Sequence, residues 1–150
     1  MFIRNLWYFA MPGHRLKGGA LAPKLMLGEP IVLGRTAGGE PFALRDICPH
    51  RGAPLSHGRL QGNEVECCYH GWRFDMHGRC TTIPSLFEGQ AFDMAQISVR
   101  RYLCREVQGN IWVFMDDGHE AVDPPPPPQI PDLGERQSDV VRTMHFPVHA

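Results

Sequence analysis

The chain has 150 residues, 43% of them apolar and 21% charged, with a formal net charge of −1, which suits one soluble globular domain with an ordinary core. No run of Lys or Arg is long enough to track a phosphate backbone, which argues against nucleic acid as a partner, and no apolar stretch has the ~20 residues of a membrane span. The N-terminal MFIRNLWYFAMPGHR lacks the layout of a secretory signal, and five cysteines, two of them adjacent at Cys67 and Cys68, make a poor disulfide framework, so a reducing cytoplasm is expected.

Short apolar stretches alternate with Gly and Pro, and no stripe of helical period is sustained, so the pattern is that of an all-β domain. Residues 5–10, 24–27, 31–35 and 41–46 read as strands, with turn signals at Gly28-Glu29-Pro30 and Gly38-Gly39. Residues 64–67, 73–75 and 79–82 continue the series, the last two joined by Met76-His77-Gly78, and 99–106 with 110–115 form a closing hairpin across Val107-Gln108-Gly109. After Asp116 the composition changes to the proline run at 124–128, which donates no backbone hydrogen bond and favours a stiff, extended conformation. The expected organisation is a domain at residues 1–116, a proline-rich linker at 117–139 and, at 140–150, a partial strand that begins a further domain, since Val140, Arg142, Met144, Phe146 and Val148 alternate.

The segment CPHRGAPLSHGRLQGNEVECCYHGW, residues 48–72, contains two pairs of metal-binding side chains. Cys48 and His50 lie two apart, Cys67 and His70 three apart, with sixteen residues between the pairs. Each loop offers one thiolate and one imidazole, and the glycines and prolines around them suit tight turns that aim backbone amides at a buried anion. Two metal readings compete. A single zinc would take all four residues tetrahedrally, although structural zinc sites usually draw paired Cys from one segment and paired His from another. A [2Fe–2S] centre with two Cys on one iron and two His on the other matches the split loops if Cys48 and Cys67 hold one iron and His50 and His70 the other.

CPHRGAPLS followed by CCYHGW resembles the Rieske signature, and NLWYFAMPG, LRDICPHRGAPLSHG, WRFDMHGRC and GNIWVFM are similar to the N-terminal domain of Rieske non-haem iron oxygenase α-subunits, nearest to their demethylase and monooxygenase branch. The resemblance spans about residues 2–116 and departs at Cys68, where these oxygenases usually have proline. It implies a Rieske-type antiparallel β-sheet domain with two cluster-binding loops and Cys48, His50, Cys67 and His70 as ligands of a [2Fe–2S] cluster. It also implies a potential of about −150 to +300 mV, and a trimer in which His70 faces an aspartate of the neighbouring subunit on the way to a mononuclear iron. In quinol-oxidising Rieske proteins an inter-loop disulfide and a serine hydroxyl stand where this chain has Ala53, Tyr69 and Trp72, which points to the low-potential oxygenase or ferredoxin type.

Cys68, Cys80 and Cys104 have no partner at ligand spacing and read as ordinary strand or loop cysteines. His57, His14, His77 and His119 read as solvent-facing, Trp72 and Tyr69 as rings that shield the cluster, and Arg51 as either a docking group for a partner carboxylate or a plain surface arginine. The expected function is the electron-transfer domain of a terminal oxygenase. It accepts electrons from a reductase or ferredoxin and passes them to a mononuclear Fe(II) outside this chain, which hydroxylates or demethylates a small aromatic substrate. The alternative is a stand-alone Rieske ferredoxin. His145 and His149, on one strand face about 13 Å apart, are too distant to chelate one iron.

Overall fold

Apolar residues at both parities in Ile31-Val32-Leu33 call for a strand covered on both faces. The computed structural model describes residues 2–87, 89–90, 92–118 and 123–131. Within them the strands are β1 (Leu6–Pro12), β2 (Leu21–Met26), β3 (Glu29–Arg35), β4 (Pro41–Arg45), β5 (Arg59–Gln61), β6 (Glu64–Glu66), β7 (Arg73–Asp75), β8 (Cys80–Thr82), β9 (Arg101–Tyr102), β10 (Cys104–Val107) and β11 (Asn110–Met115). All pairings are antiparallel, in three sheets ordered β1-β11-β10, β2-β3-β4-β9 and β5-β6-β7-β8. The all-β expectation is met.

The second sheet is the middle layer, which accounts for the unbroken apolar run in β3. Ile31 and Leu33 join Ala43, Ile111, Val113 and Met115 in a core against the first sheet. Val32, on the opposite parity, joins Phe42, Leu44, Val65 and Phe74 in a core against the third. Leu55, fully buried in a short 3-10 turn (Leu55–His57), belongs to the same second core as Cys48; burying such a side chain is worth about 2–3 kcal/mol.

Several boundaries differ from the sequence reading, among them β1, which runs on to Pro12, and β2, which starts at Leu21. The first hairpin turns at Leu27-Gly28, both with positive φ (49° and 77°), so Glu29 and Pro30 already belong to β3. The β10–β11 hairpin uses the same device at Gln108-Gly109, with φ of 51° and 72°; paired positive φ is the geometry of the hairpin turns that match strand twist. The single strand expected at 99–106 is broken at Leu103 because its two parts serve different sheets: β9 pairs with β4, β10 with β11. β5 was not foreseen, since Arg59-Leu60-Gln61 shows only one apolar residue. The partial strand expected at 140–150, with His145 and His149, and His119 lie outside the described residues.

A buried carboxylate ties the N-terminal segment to the middle sheet. Glu29 accepts hydrogen bonds from Arg4, from Arg45 at 3.0 Å, from Arg100 at 3.5 Å and from the Tyr102 hydroxyl at 2.5 Å. Burial alone would raise its pKa, but the bonds from Tyr102 and Arg4 and the charge of Arg100 outweigh that and lower it.

Candidate metal centre

The third sheet and the end of β4 present two loops of one design. In the first, residues 48–53, Cys48 N–H donates to Ala53 O at 2.8 Å and Gly52 N–H to Cys48 O at 2.8 Å. In the second, residues 67–72 between β6 and β7, Cys67 N–H donates to Trp72 O at 2.8 Å and Gly71 N–H to Cys67 O at 3.0 Å. The left-handed residue closing each loop is glycine, Gly52 with φ 73° and Gly71 with φ 69°, a conformation costing other L-residues about 1–2 kcal/mol. Superposing the two frames aligns Cys with Cys and Gly with Gly, while the imidazoles occupy successive positions, His50 third and His70 fourth.

Thiols and imidazoles are sorted by burial. Cys48 and Cys67 are 2% and 3% exposed, share one core and lie close enough for each to perturb the other. The His50 and Arg51 backbone amides act to lower the Cys48 pKa, the direction expected of amides turned towards a thiolate. Burial pushes the Cys48 thiol up to about 11, with those amides pulling the other way, so a metal bound there would have to displace a proton. The imidazoles lie at the surface, ring centroids 4.6 Å apart. Burial and then the neighbouring His70 lower the pKa of His50, favouring the neutral, metal-binding form.

Aromatic rings cover the imidazoles. Trp72, from the second loop, stacks on His50 of the first at 4.4 Å and an interplanar angle of 3°. Tyr69 leans on His70 at 3.9 Å but remains exposed. Arg51 and Cys68 are exposed, Cys80 and Cys104 pack with the two cores, and His14 and His77 are exposed, His77 against Arg101 at 3.0 Å. His57 lines a shallow hollow of about 370 Å³ with Glu66, Cys67 and Cys68.

Two supports are not visible in residue spacing. Asp46, 7% exposed, accepts from Ser56 N–H at 2.7 Å and from Ser56 Oγ at 2.6 Å, closing the first loop at its base. Gly58 passes so close to β6 that a Cβ there would lie 1.9 Å from Glu66 O. A buried aspartate just ahead of the first cysteine and a glycine after the 3-10 turn were the available signals, though neither residue type has ligand spacing.

The donor set fits a [2Fe–2S] cluster: two buried thiols opposed to each other and two surface imidazoles side by side. Among the described residues no three His, Cys, Asp or Glu side chains converge on one metal position.

Comparison with known proteins agrees. Dicamba O-demethylase, oxygenase component, from Stenotrophomonas maltophilia is 37% identical over 143 residues, covering 95% of this chain and 40% of that protein. The 4beta-methylsterol monooxygenase of Methylococcus capsulatus is 40% identical over 129 residues, covering 86% of this chain and 35% of that protein. A crystal structure of dicamba monooxygenase superposes with a TM-score of 0.70 at 37% identity, over 77% of this chain and 36% of the other. The chain thus spans well under half the length of these relatives. Residues 6–103 match the Rieske [2Fe-2S] domain family, and with two Cys-and-His loops in one shared frame, the chain belongs to it.

Proposed function

We propose that this chain is the electron-accepting Rieske domain of a terminal non-haem iron oxygenase, with Cys48 and Cys67 on one iron of the cluster and His50 and His70 on the other. When bound, the cluster takes up and releases one electron at a potential above that of all-cysteine ferredoxins. The observation that carries the reading is the paired loop frame: it holds the two thiols inside the protein and sets both imidazoles at the surface. An imidazole bound through one ring nitrogen presents its other edge to a docking partner.

The electrons come from a reductase or ferredoxin and pass to a mononuclear iron held by two histidines and a carboxylate elsewhere in the oxygenase, within a trimer. The substrate is a small aromatic molecule that is hydroxylated or demethylated. The oxygenase names of the relatives support this over a free-standing Rieske ferredoxin. Metal and sulfide analysis tests the ligand set: two irons and two acid-labile sulfides per chain are expected, and one zinc with no sulfide overturns it. Mass spectrometry and sequencing of the intact gene product test the oxygenase assignment. A product that ends near residue 150 and has no two-histidine, one-carboxylate segment would make the protein a carrier.

A further inference from the structure

The outer face of the first sheet is a row of rings. Trp7 and Phe114 are cross-strand neighbours with centroids 5.3 Å apart, Phe9 and Trp112 the next pair at 5.9 Å, both edge to face. The Arg105 guanidinium lies over Trp7 at 5.6 Å. Strand parity forces this arrangement, because Ile111, Val113 and Met115 go to the core and Trp112 and Phe114 to the other side. Trp7 is nevertheless only 8% exposed. Its cover includes the proline run.

Trp7 Nε1 donates to Pro125 O at 2.5 Å. Pro127 is buried. At the far end of the sheet Gln108, in the β10–β11 turn, forms a two-point amide pair with Ile130: Nε2 donates to Ile130 O at 3.0 Å and Oε1 accepts from Ile130 N–H at 2.7 Å. The lengths agree. From Phe114, the partner of Trp7, back to Asn110 at the turn is about 14 Å of strand, and Pro125 to Ile130 in a polyproline II helix is about 15 Å.

We propose that this face is a polyproline-binding site, and that its ligand is the chain's own segment 123–131. The chemistry is complementary. Consecutive prolines offer carbonyls but no N–H groups, so their partners must be donors, and an indole is a donor without acceptor character. Their rings pack on aromatic surfaces, and the stiff segment loses little conformational freedom on docking. Ile130 does have an N–H, and at that residue the partner changes from an indole to an amide side chain that can both donate and accept. Trp112 supplies a second indole on the same face; its Nε1 is buried without a partner among the described residues. The docked segment directs the chain along β1 to the β10–β11 turn. It acts as a fixed strap, where the composition alone suggested a spacer. This site stands whether the protein is an oxygenase or a carrier.

The test uses the full chain with its cluster, and a variant in which Pro124 to Pro128 are replaced by alternating Gly and Ser. Side-chain NMR identifies the Trp7 indole N–H by its loss in Trp7→Phe. In the parent the Trp7 indole and the Ile130 amide should exchange at least tenfold more slowly than in the Gly/Ser variant, and Gln108→Ala should release Ile130 while leaving Trp7 largely protected. A synthetic peptide of residues 123–131 should shift the Trp7 resonance of the Gly/Ser variant and leave that of the parent unchanged. Equal exchange in parent and variant, or a peptide that shifts neither, overturns the proposal. Protection that disappears on dilution, with a dimer in sedimentation, also overturns it by assigning the strap to a second copy.

Discussion

Gly58→Ala should separate the two metal loops. The added Cβ would sit 1.9 Å from Glu66 O and 3.0 Å from Leu55 O, so the backbones must part by more than 1 Å to reach even the 3.0 Å limit of real contacts. Glu66 cannot yield alone. It is paired on both sides within the third sheet, to Arg59 and Arg73, and its carboxylate holds both guanidiniums, at 2.6 and 2.8 Å. The next residue is Cys67, so the displacement passes to the second loop. Overpacking of this kind costs about 1–3 kcal/mol, a loss of roughly 2–12 °C in Tm for a chain of this size. Metal–ligand distances tolerate only about 0.2 Å, so iron content should fall more steeply than stability. Gly52→Ala is the control: nothing lies within 4 Å of its Cβ, and only the φ of 73° is strained. That variant should lose about 1–2 kcal/mol and keep its metal. Iron and sulfide analysis with thermal unfolding reads both. A Gly58→Ala protein that keeps full iron and sulfide would refute the argument.

Cys48→Ser or Cys67→Ser should abolish the cluster, read by visible absorption and sulfide content. His50→Cys or His70→Cys should retain it at a clearly lower potential in a redox titration, because a thiolate adds negative charge that opposes reduction. Glu29→Gln should cost about 3 kcal/mol in urea unfolding, since it leaves partly buried guanidiniums without their carboxylate. The folded-state pKa of Glu29 lies below 4.5, so its contribution is complete above that pH and is lost as pH falls through the depressed value; acid unfolding of Glu29→Gln should lack that component. Burial, then the bond to Glu29, pushes Tyr102 up to about 12 from 10.0. Its contribution is therefore complete below pH 10 and lost towards pH 12, and Tyr102→Phe should flatten the alkaline limb of a stability profile. Given ferrous iron, a reductase, NADH and O₂, this chain should show cluster reduction without product from a panel of aromatic acids and ethers; product would reveal a catalytic iron site.

The two Cys-and-His loops were legible as a pair because residue type and spacing both survive in one dimension, and cluster geometry would constrain the two together. Strands with two buried faces or clean turns, such as β3, β7 and β11, were legible for a similar reason: burial leaves its parity in the sequence. β5 was not, because three residues with one apolar side chain leave no period to read, and it forms only by pairing with β6. The split at Leu103 was hidden because both halves are locally good strand and only the partner sheets differ. Gly58 and Asp46 act through residues 8 and 10 positions away, and an aspartate ahead of Cys48 or a glycine after His57 does not by itself reveal such contacts. The proline run was read as stiff, but composition cannot show that a stiff segment has a surface to lie on.

The described cysteines are all free, so no disulfide joins the two metal loops. Three non-covalent ties do that work at different depths. Asp46 closes the first loop on itself through Ser56, the contact of Gly58 with Glu66 sets the spacing of the two loops at their base, and the stack of Trp72 on His50 joins them at the tip. An aromatic pair is worth about 0.5–1.5 kcal/mol beyond its burial, against about 2–4 kcal/mol for a disulfide. The tip is thus held more loosely than a covalent link would hold it, while the base, set by backbone contact, is rigid. That division matches the sorting of the proposed ligands. The thiols sit at the rigid base, where geometry must be fixed before metal arrives. The imidazoles sit at the tip, where a ring held in plane by Trp72 keeps its orientation and still presents its outer edge to whatever docks there.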